Sequence, residues 1–363
     1  MDSKDRAYLS RTFTLARLGS GKVSPNPEVG CVIVKGGKII SSGYHRKFGG
    51  DHAEVDAIKR SSESVEGATL YVSLEPCSHY GKTPPCVDLV IANKISRVVI
   101  GMPDPNPLVS GSGIRKMRDA GIEVEVSDFE EHRRFYRKFT RYITSPYPFI
   151  TIKSAITLDG KIAEGNGKSK WITNETSRAF VHKLRSENDA ILTTSATVRA
   201  DDPMMNVRGI SGTSPGRVML SSHLFFDEKL NFFRNEDKKS IVIASEGERV
   251  NQEIIGLLEK NRVEVIFVKG GSDGRPDVDE SLVKLHQRGI ASVMIEAGSV
   301  LISELVNRGL FDEMVVFIAP KLIGPGISVF GGLKYFGLDS PVQLKLRDVK
   351  NLDGDAVMFL EKV

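Results

Sequence analysis

Cysteine is scarce, three residues in 363, which is too few for a disulfide framework and leaves the fold to rest on buried apolar cores. Tryptophan occurs once and aromatics make up only 7%. No dense Lys/Arg stripe interleaved with aromatic residues is present, so nucleic acid is not an expected partner. No run approaches the roughly 18 consecutive apolar residues of a membrane span, so no membrane is expected either. Charge of one sign is nearly absent as a net quantity: +4, a weak bias that favours small phosphorylated molecules. The opening Met1-Asp2-Ser3-Lys4-Asp5-Arg6 is charged and lacks a following apolar stretch, so no secretory leader is expected and the cytoplasm is the expected compartment. The G-x-G-x-x-G dinucleotide fingerprint is missing; Gly111-Ser112-Gly113 lacks its third glycine and reads as a helix-entry loop.

What is present describes a globular chain, with 40% hydrophobic and 26% charged residues, and the length suggests about two domains. An opening helix ends near Gly19-Ser20-Gly21. Strands are expected at 29–35 and 38–43 around a Gly36-Gly37 turn, at 68–74, 95–100 and 122–126. Helices should begin near His52 and Pro85, and a charged helix should span 130–139. Pro146 and Pro148 then break the pattern, which sets expected domains of 1–146 and 147–363. The second half alternates strands at 149–155, 190–194, 217–220, 240–244, 263–268 and 292–296 with helices at 177–186, 251–260, 279–287 and 300–308. It finishes with a strand at 313–319 and a hairpin of 344–348 and 357–360 turned at Asp353-Gly354. Such alternation argues layered α/β domains.

The chemistry concentrates in His52-Ala53-Glu54 and in Pro76-Cys77 with Pro84-Pro85-Cys86. One imidazole and two thiolates make a three-ligand zinc set that leaves a fourth position for water, whose acidification yields a hydroxide near neutral pH. Glu54 stays off the metal and carries the proton. Nucleobase deaminases hold H-x-E and P-C-x-x-C in this relation, here with a longer spacing between the cysteines. His52 and Glu54 approach one metal only if His52 sits on the entry turn of a helix, with Asp51 as the expected N-cap. Prolines before Cys86 put that residue at a second helix start, where the helix dipole favours a thiolate. A structural zinc needs a fourth protein ligand, for which His79 is the nearby alternative. Cys31, in mid-strand, reads as a buried small hydrophobe.

These blocks, with Pro25-Asn-Pro-Glu-Val-Gly-Cys31, Gly43-Tyr-His45, Asp104-Pro-Asn-Pro107, Lys153-Ser-Ala-Ile-Thr-Leu-Asp-Gly160, Ser169-Lys-Trp-Ile-Thr173, Thr197-Val-Arg-Ala-Asp-Asp-Pro203 and Glu296-Ala-Gly298, resemble the bifunctional riboflavin-biosynthesis deaminase/reductase family over almost the whole chain. The resemblance implies a cytidine-deaminase-like α/β/α domain followed by a dihydrofolate-reductase-like α/β domain. The first would remove the 2-amino group of 2,5-diamino-6-ribosylamino-4(3H)-pyrimidinone 5′-phosphate. The second would reduce its ribosyl group to ribityl with NADPH. Zinc ligands carry over to His52, Cys77 and Cys86, and the proton shuttle to Glu54. Deaminase substrate contacts carry over to Asn26, His45, Lys82, Asp104 and Asn106. By residue type, asparagine amides suit a pyrimidinone edge, while His45 and Lys82 suit a phosphate; Asn26 and Asn106 also read as turn formers beside proline.

In the second domain the resemblance assigns cofactor contacts to Ala155, Trp171, Thr197, Asp201, Ser222 and the run Gly298, Ser299, Val300, Leu301, Ile302, Ser303 and Glu304. Substrate contacts fall on Ser169, Arg185, Met205, Arg208 and Glu296. Gly298-Ser299 lies between strand and helix, where backbone N–H groups hold phosphate. Lys153 is a candidate proton donor to a developing alkoxide, or an ordinary strand lysine. Two alternatives stand beside this: a nucleic-acid deaminase with an RNA-recognition domain, and a structural zinc module fused to a nucleotide sensor. Assembly into a homo-oligomer is left open.

Overall fold

Strand side chains alternate between two cores in the first half of the chain, and that alternation sets its layering. The computed structural model describes residues 1–80, 84–107, 109–127, 129–234, 240–246, 251–271 and 273–363. They form two units, Met1–Pro146 and Tyr147–Val363. The first runs α1 (Ser3–Ala16), β1 (Gly30–Lys35), β2 (Lys38–Tyr44), α2 (Ala53–Lys59), β3 (Thr69–Val72), α3 (Cys86–Ala92), β4 (Arg97–Ile100), α4 (Ser112–Asp119), β5 (Glu123–Val126), α5 (Glu130–Phe135) and α6 (Arg137–Thr144). Its sheet has the order β2-β1-β3-β4-β5. The strand β1 is antiparallel to both neighbours, whereas β3, β4 and β5 are parallel.

Cys31, Ile33, Leu70, Val72, Val98 and Ile100 pack on one face against Ala53 and Ala57 of α2, Val87 and Val90 of α3, and Ile114 and Met117 of α4. The intervening Val32, Val34, Tyr71 and Val99 pack on the other against Leu9 and Phe13 of α1 and against Tyr136. This two-residue period is what a sheet covered on both faces requires. A Cβ on Gly43 would lie 2.4 Å from the Ala57 nitrogen, so glycine there lets α2 lie directly on β2. Asp5, buried on α1, accepts from Arg97 Nη1 at 2.8 Å and Nη2 at 2.9 Å and from the Tyr71 hydroxyl at 2.6 Å, fastening α1 across β3 and β4.

The charged stretch expected as one helix is two. It breaks at Tyr136, whose buried hydroxyl lies 2.9 Å from the Glu28 carbonyl and 2.7 Å from Ser73 Oγ. Turning that ring into the core and satisfying its hydroxyl outweighs helix continuity.

The second unit comprises β6 (Phe149–Thr157), β7 (Lys161–Glu164), α7 (Glu175–Ser186), β8 (Ala190–Thr194), α8 (Ser195–Asp201), β9 (Gly216–Ser221), β10 (Ser240–Ser245), α9 (Gln252–Lys260), β11 (Val263–Val268), α10 (Val278–His286), β12 (Ser292–Ile295), α11 (Ser299–Arg308), β13 (Glu313–Ala319), β14 (Gly326–Ser328), β15 (Leu344–Leu352) and β16 (Asp355–Lys362). Among the described residues the main sheet has the order β11-β10-β9-β8-β12-β6-β13-β16-β15. It is parallel from β11 to β13 and antiparallel at β16 and β15. The central strands read as near-continuous apolar runs because helices cover both faces. Asn174, Thr194, Asn251 and Asp277 cap helix starts with their side chains. The short α8 and the separate β7–β14 pair have no counterpart in the sequence pattern.

Candidate active sites

Two helix starts converge beside the first sheet. His52 is the N-cap of α2, with φ −70° and ψ 163°, and its side chain makes no capping bond. The extended backbone leaves the imidazole free to face the cysteines. Asp51, expected as the cap, does something else: its carboxylate pairs with Lys59 at 2.7 Å and its carbonyl lies 2.9 Å from His45 Nδ1. Pro85 is the N-cap of α3, so Cys86 opens that helix as its sequence context predicts.

His52 Nδ1 lies 3.5 Å from Cys77 Sγ and 3.3 Å from Cys86 Sγ, and all three ligand atoms fall within 4.8 Å of one another. Ligands bonded to zinc at about 2.0–2.3 Å in a tetrahedron stand roughly 3.5 Å apart, so the donor set fits that ion in both chemistry and spacing. His79 is exposed and lies outside the cluster. Among the described residues the protein therefore supplies three ligands, as a catalytic zinc site does.

Glu54, in the first turn of α2, is buried beside the thiols. Loss of solvent pushes its carboxyl up to about 7, with the Cys77 thiolate adding to the rise and His52 opposing it. Hydrogen bonding from Cys86 and from His52 pulls the Cys77 thiol down, while the Cys77 thiolate and burial push Cys86 up. A divalent cation at this point favours ionisation of both thiols and of Glu54.

Around this cluster the structure brings together Asn26, His45, Asp104 and Asn106. Asn26 Nδ2 lies 3.4 Å from His45 Nε2, and the His45 and His52 rings meet edge to face at 5.5 Å. Both ring nitrogens of His45 are thus engaged, and burial pushes its pKa down. Asp104 receives the Asn106 N–H at 2.9 Å, and desolvation raises its pKa. Lys82 lies outside the described residues. Sequence reasoning missed Glu75, a buried carboxylate next to Pro76 that accepts backbone N–H groups from the segment carrying Asp104. Its one signal was a Glu at the end of a buried strand.

In the second unit the candidate residues cluster where the parallel strands β6, β8, β9 and β12 end, the side on which open α/β sheets bind ligands. Arg185 of α7 grips Glu296 with two hydrogen bonds, 2.7 Å from Nε and 3.0 Å from Nη2. Lys153 Nζ stands 3.7 Å from Glu296 Oε2. Burial lowers the pKa of Lys153, with Glu296 opposing the shift. The cations Arg185 and Lys153 hold Glu296, despite its burial, down to about 2. Asn206, which the sequence did not single out, fixes Arg185: its carbonyl accepts from Nη1 at 3.1 Å.

Ser169 Oγ donates to Asp201 at 3.2 Å, and Thr194 and Thr197 hydroxyls lie 3.2 Å apart at the start of α8. Ala155, inside β6, and Ser222, just past the end of β9, are half-buried. Trp171 is 65% exposed with Arg178 stacked 4.6 Å from its ring, so it is not a core residue. Gly298 caps α11 through its backbone alone. Leu301, Ile302 and Ser303 are buried, Val300 is exposed and Glu304 pairs with Arg308. Any anion held by this run therefore meets main-chain N–H groups rather than those side chains. Met205 packs in the core with Val181 and Leu184. Arg208 is exposed and donates to Asn206 Oδ1 at 3.0 Å.

Two family models match the chain. The cytidine and deoxycytidylate deaminase zinc-binding region matches residues 2–102, and the RibD C-terminal domain matches residues 148–358. The riboflavin biosynthesis protein RibD of Aquifex aeolicus is 41% identical over 360 residues, 99% of this chain and 98% of the relative. The chain belongs to the RibD family. RibD of Escherichia coli is 35% identical over 374 residues, covering 98% of this chain and 99% of that one. Among solved structures, RibD of Acinetobacter baumannii superposes with a TM-score of 0.87 at 34% identity, covering 99% of both chains. A diaminohydroxyphosphoribosylaminopyrimidine deaminase/5-amino-6-(5-phosphoribosylamino)uracil reductase of Thermotoga maritima also gives 0.87, at 37% identity and 99% coverage of both.

As a RibD family member the chain is a bifunctional enzyme of riboflavin biosynthesis, a deaminase joined to a reductase. Its fold class is the expected one, a cytidine-deaminase-like domain followed by the family's reductase domain. The deaminase domain is of the zinc-binding kind and carries the His/Cys/Cys group described above. Among the described residues no helix is long and apolar enough to cross a membrane.

Proposed function

We propose that the first domain, residues 1–146, hydrolyses the 2-amino group of 2,5-diamino-6-ribosylamino-4(3H)-pyrimidinone 5′-phosphate. The second, residues 147–363, then reduces the ribosyl group to ribityl with NADPH. The observation that carries this reading is the His52–Cys77–Cys86 cluster with Glu54 buried beside it. His52, Cys77 and Cys86 hold one zinc, which when bound supplies a water acidic enough to attack a ring carbon near neutral pH. Glu54 would accept a proton from the attacking water and return it to the exocyclic nitrogen, so that oxygen bonds to C2, the C2–N bond breaks and ammonia leaves. Asn26 and Asn106 are suited to the pyrimidinone edge, and His45, in contact with the Asn26 amide, orients it.

In the reductase domain NADPH would supply a hydride to C1′ of the ribosyl group, the bond from C1′ to the ring oxygen breaks, and that oxygen gains a proton. Lys153 supplies that proton, and the Arg185–Glu296 pair keeps the lysine aimed at the substrate. Backbone N–H groups from Gly298 onward, with Thr197 and Ser222, bind the dinucleotide phosphates. A preference for NADPH over NADH, a cytoplasmic location and a small-molecule substrate complete the proposal. The test is to follow ammonia release from the diamino substrate, and NADPH oxidation with the deaminated compound, on zinc-assayed protein. Absence of either activity from protein holding one zinc per chain refutes the assignment of that domain.

A further inference from the structure

The carboxylate of Glu75 is buried between the end of β3 and the start of α4, and no ion pair among the described residues includes it. Four backbone N–H groups solvate it instead. Oε1 accepts from Gly113 at 3.0 Å and Ile114 at 3.2 Å, and Oε2 accepts from Asp104 and Gly111, both at 3.0 Å. Its own N–H donates to the Met102 carbonyl at 2.9 Å. The four donors to the carboxylate are Asp104, Gly111, Gly113 and Ile114, and the carboxylate itself stands two positions before Cys77. The same two segments meet twice more. A Cβ on Gly113 would lie 2.6 Å from the Pro76 carbonyl oxygen, and the Ser78 and Ser112 hydroxyls lie 2.5 Å apart.

We infer that Glu75 is a positioning residue that locks the segment bearing Asp104 and Asn106 to the strand end bearing Cys77, setting the substrate subsite at a fixed distance from the metal ligands. A carboxylate suits this role because it offers acceptors on both oxygens and no donor. Glutamine keeps the shape and presents an NH2 to two N–H groups that need an acceptor. Donor then faces donor, and one side of the clamp opens. The inference deepens the deaminase proposal and rests on it, since it takes Asp104 and Asn106 to meet substrate. Among the described residues every hydrogen bond to its carboxylate comes from Asp104, Gly111, Gly113 or Ile114, so its effect travels through the segment it holds.

The experiment measures deamination by full-length wild type, Glu75→Gln, Asn106→Ala and the double variant, with zinc content and NADPH-dependent reduction as controls. The expected result for Glu75→Gln is a KM at least about tenfold higher, the range set by one unsatisfied buried group. Zinc should stay at one per chain and reduction should match wild type. In the double variant the two KM effects should combine to clearly less than their product, because Glu75 acts through the segment that Asn106 belongs to. A KM equal to wild type, or effects that multiply fully, overturns the inference. If wild type itself does not deaminate the pyrimidine, the function proposal fails and the positioning claim falls with it. Should Glu75→Gln not fold, Gly113→Ala carries the same measurement, because its Cβ forces the first turn of α4 off Pro76.

Discussion

The backbone N–H of Cys86 donates to the Sγ of Cys77 at 3.3 Å. One candidate ligand thus uses the first turn of α3 to orient and solvate the other, while its own thiol lies 3.3 Å from His52 Nδ1. The sulfur of Cys77 is held by geometry that a change at Cys86 disturbs only at the side chain.

Cys86→Ser should therefore keep the loop and lose the metal. A hydroxyl at this position does not ionise and is a poor partner for zinc beside one thiolate. Elemental analysis is expected to give one zinc per chain for wild type and little for the variant, with NADPH-dependent reduction retained. Full zinc occupancy in Cys86→Ser would rule out the three-ligand assignment.

Glu54→Gln separates binding from proton transfer. The amide fills the same buried space next to the thiols but has no titrating oxygen. Deamination should fall by about 10²–10⁴-fold, while zinc content and the reductase rate remain at wild-type levels. Normal deamination by Glu54→Gln would remove Glu54 from the proton-transfer role.

The exposed Trp171, with Arg178 against its ring, makes cofactor binding observable. Saturating quenching of tryptophan fluorescence by NADPH is expected, because the chain contains no second indole to mask it. NADH should require higher concentrations for the same effect. Trp171→Phe should raise the KM for NADPH without altering zinc or deamination. Emission unchanged at cofactor levels that saturate turnover would move Trp171 out of the site.

Asp5 gives a pH-dependent stability term of known sign. Its hydrogen bonds from Arg97, opposed by burial and reinforced by Tyr71, hold its carboxyl well below the usual carboxylate range in the folded chain. The unfolded chain titrates near 3.9, so the stabilisation is fully present above that value and is lost as pH falls from there towards the depressed folded value. Asp5→Asn should cost about 1.5–3 kcal/mol at pH 7, the range for losing hydrogen bonds to a charged group, because Arg97 keeps Glu123 and Glu125 as partners. The gap in urea midpoint between wild type and variant should narrow below about pH 4. A gap constant down to pH 2 would contradict this assignment.

Short-range patterns were legible and long-range ones were not. The β-strands showed their period of two, and His52, Glu54, Cys77 and Cys86 could be read from local spacing and the prolines beside them. The turn at Tyr136 was invisible, because its cause is a hydroxyl satisfied by Glu28 and Ser73, far away in sequence. Glu75 escaped for the same reason: its partners lie between Asp104 and Ile114. Lys153, Arg185 and Glu296 form one buried group from three distant places. Isolated, each is an unremarkable charged residue, and only the family resemblance singled them out. Assigning the N-cap to Asp51 rather than His52 was a one-residue error. It came from side-chain preference, whereas the imidazole is turned toward the thiols.

The order of the large sheet has a consequence for how the reductase unit is made. Strand β12 lies between β6 and β8, which both leave the ribosome long before it. Until Ser292–Ile295 arrive, those two strands have a missing neighbour, and their apolar edges stay open to wrong partners. The strand that closes this gap also delivers Glu296 to Lys153 and Arg185. Closure of the sheet and assembly of the buried charge cluster are therefore a single late, high-contact-order event. A nascent chain cut short before β12 has neither a finished core nor the carboxylate that holds Lys153 and Arg185 together.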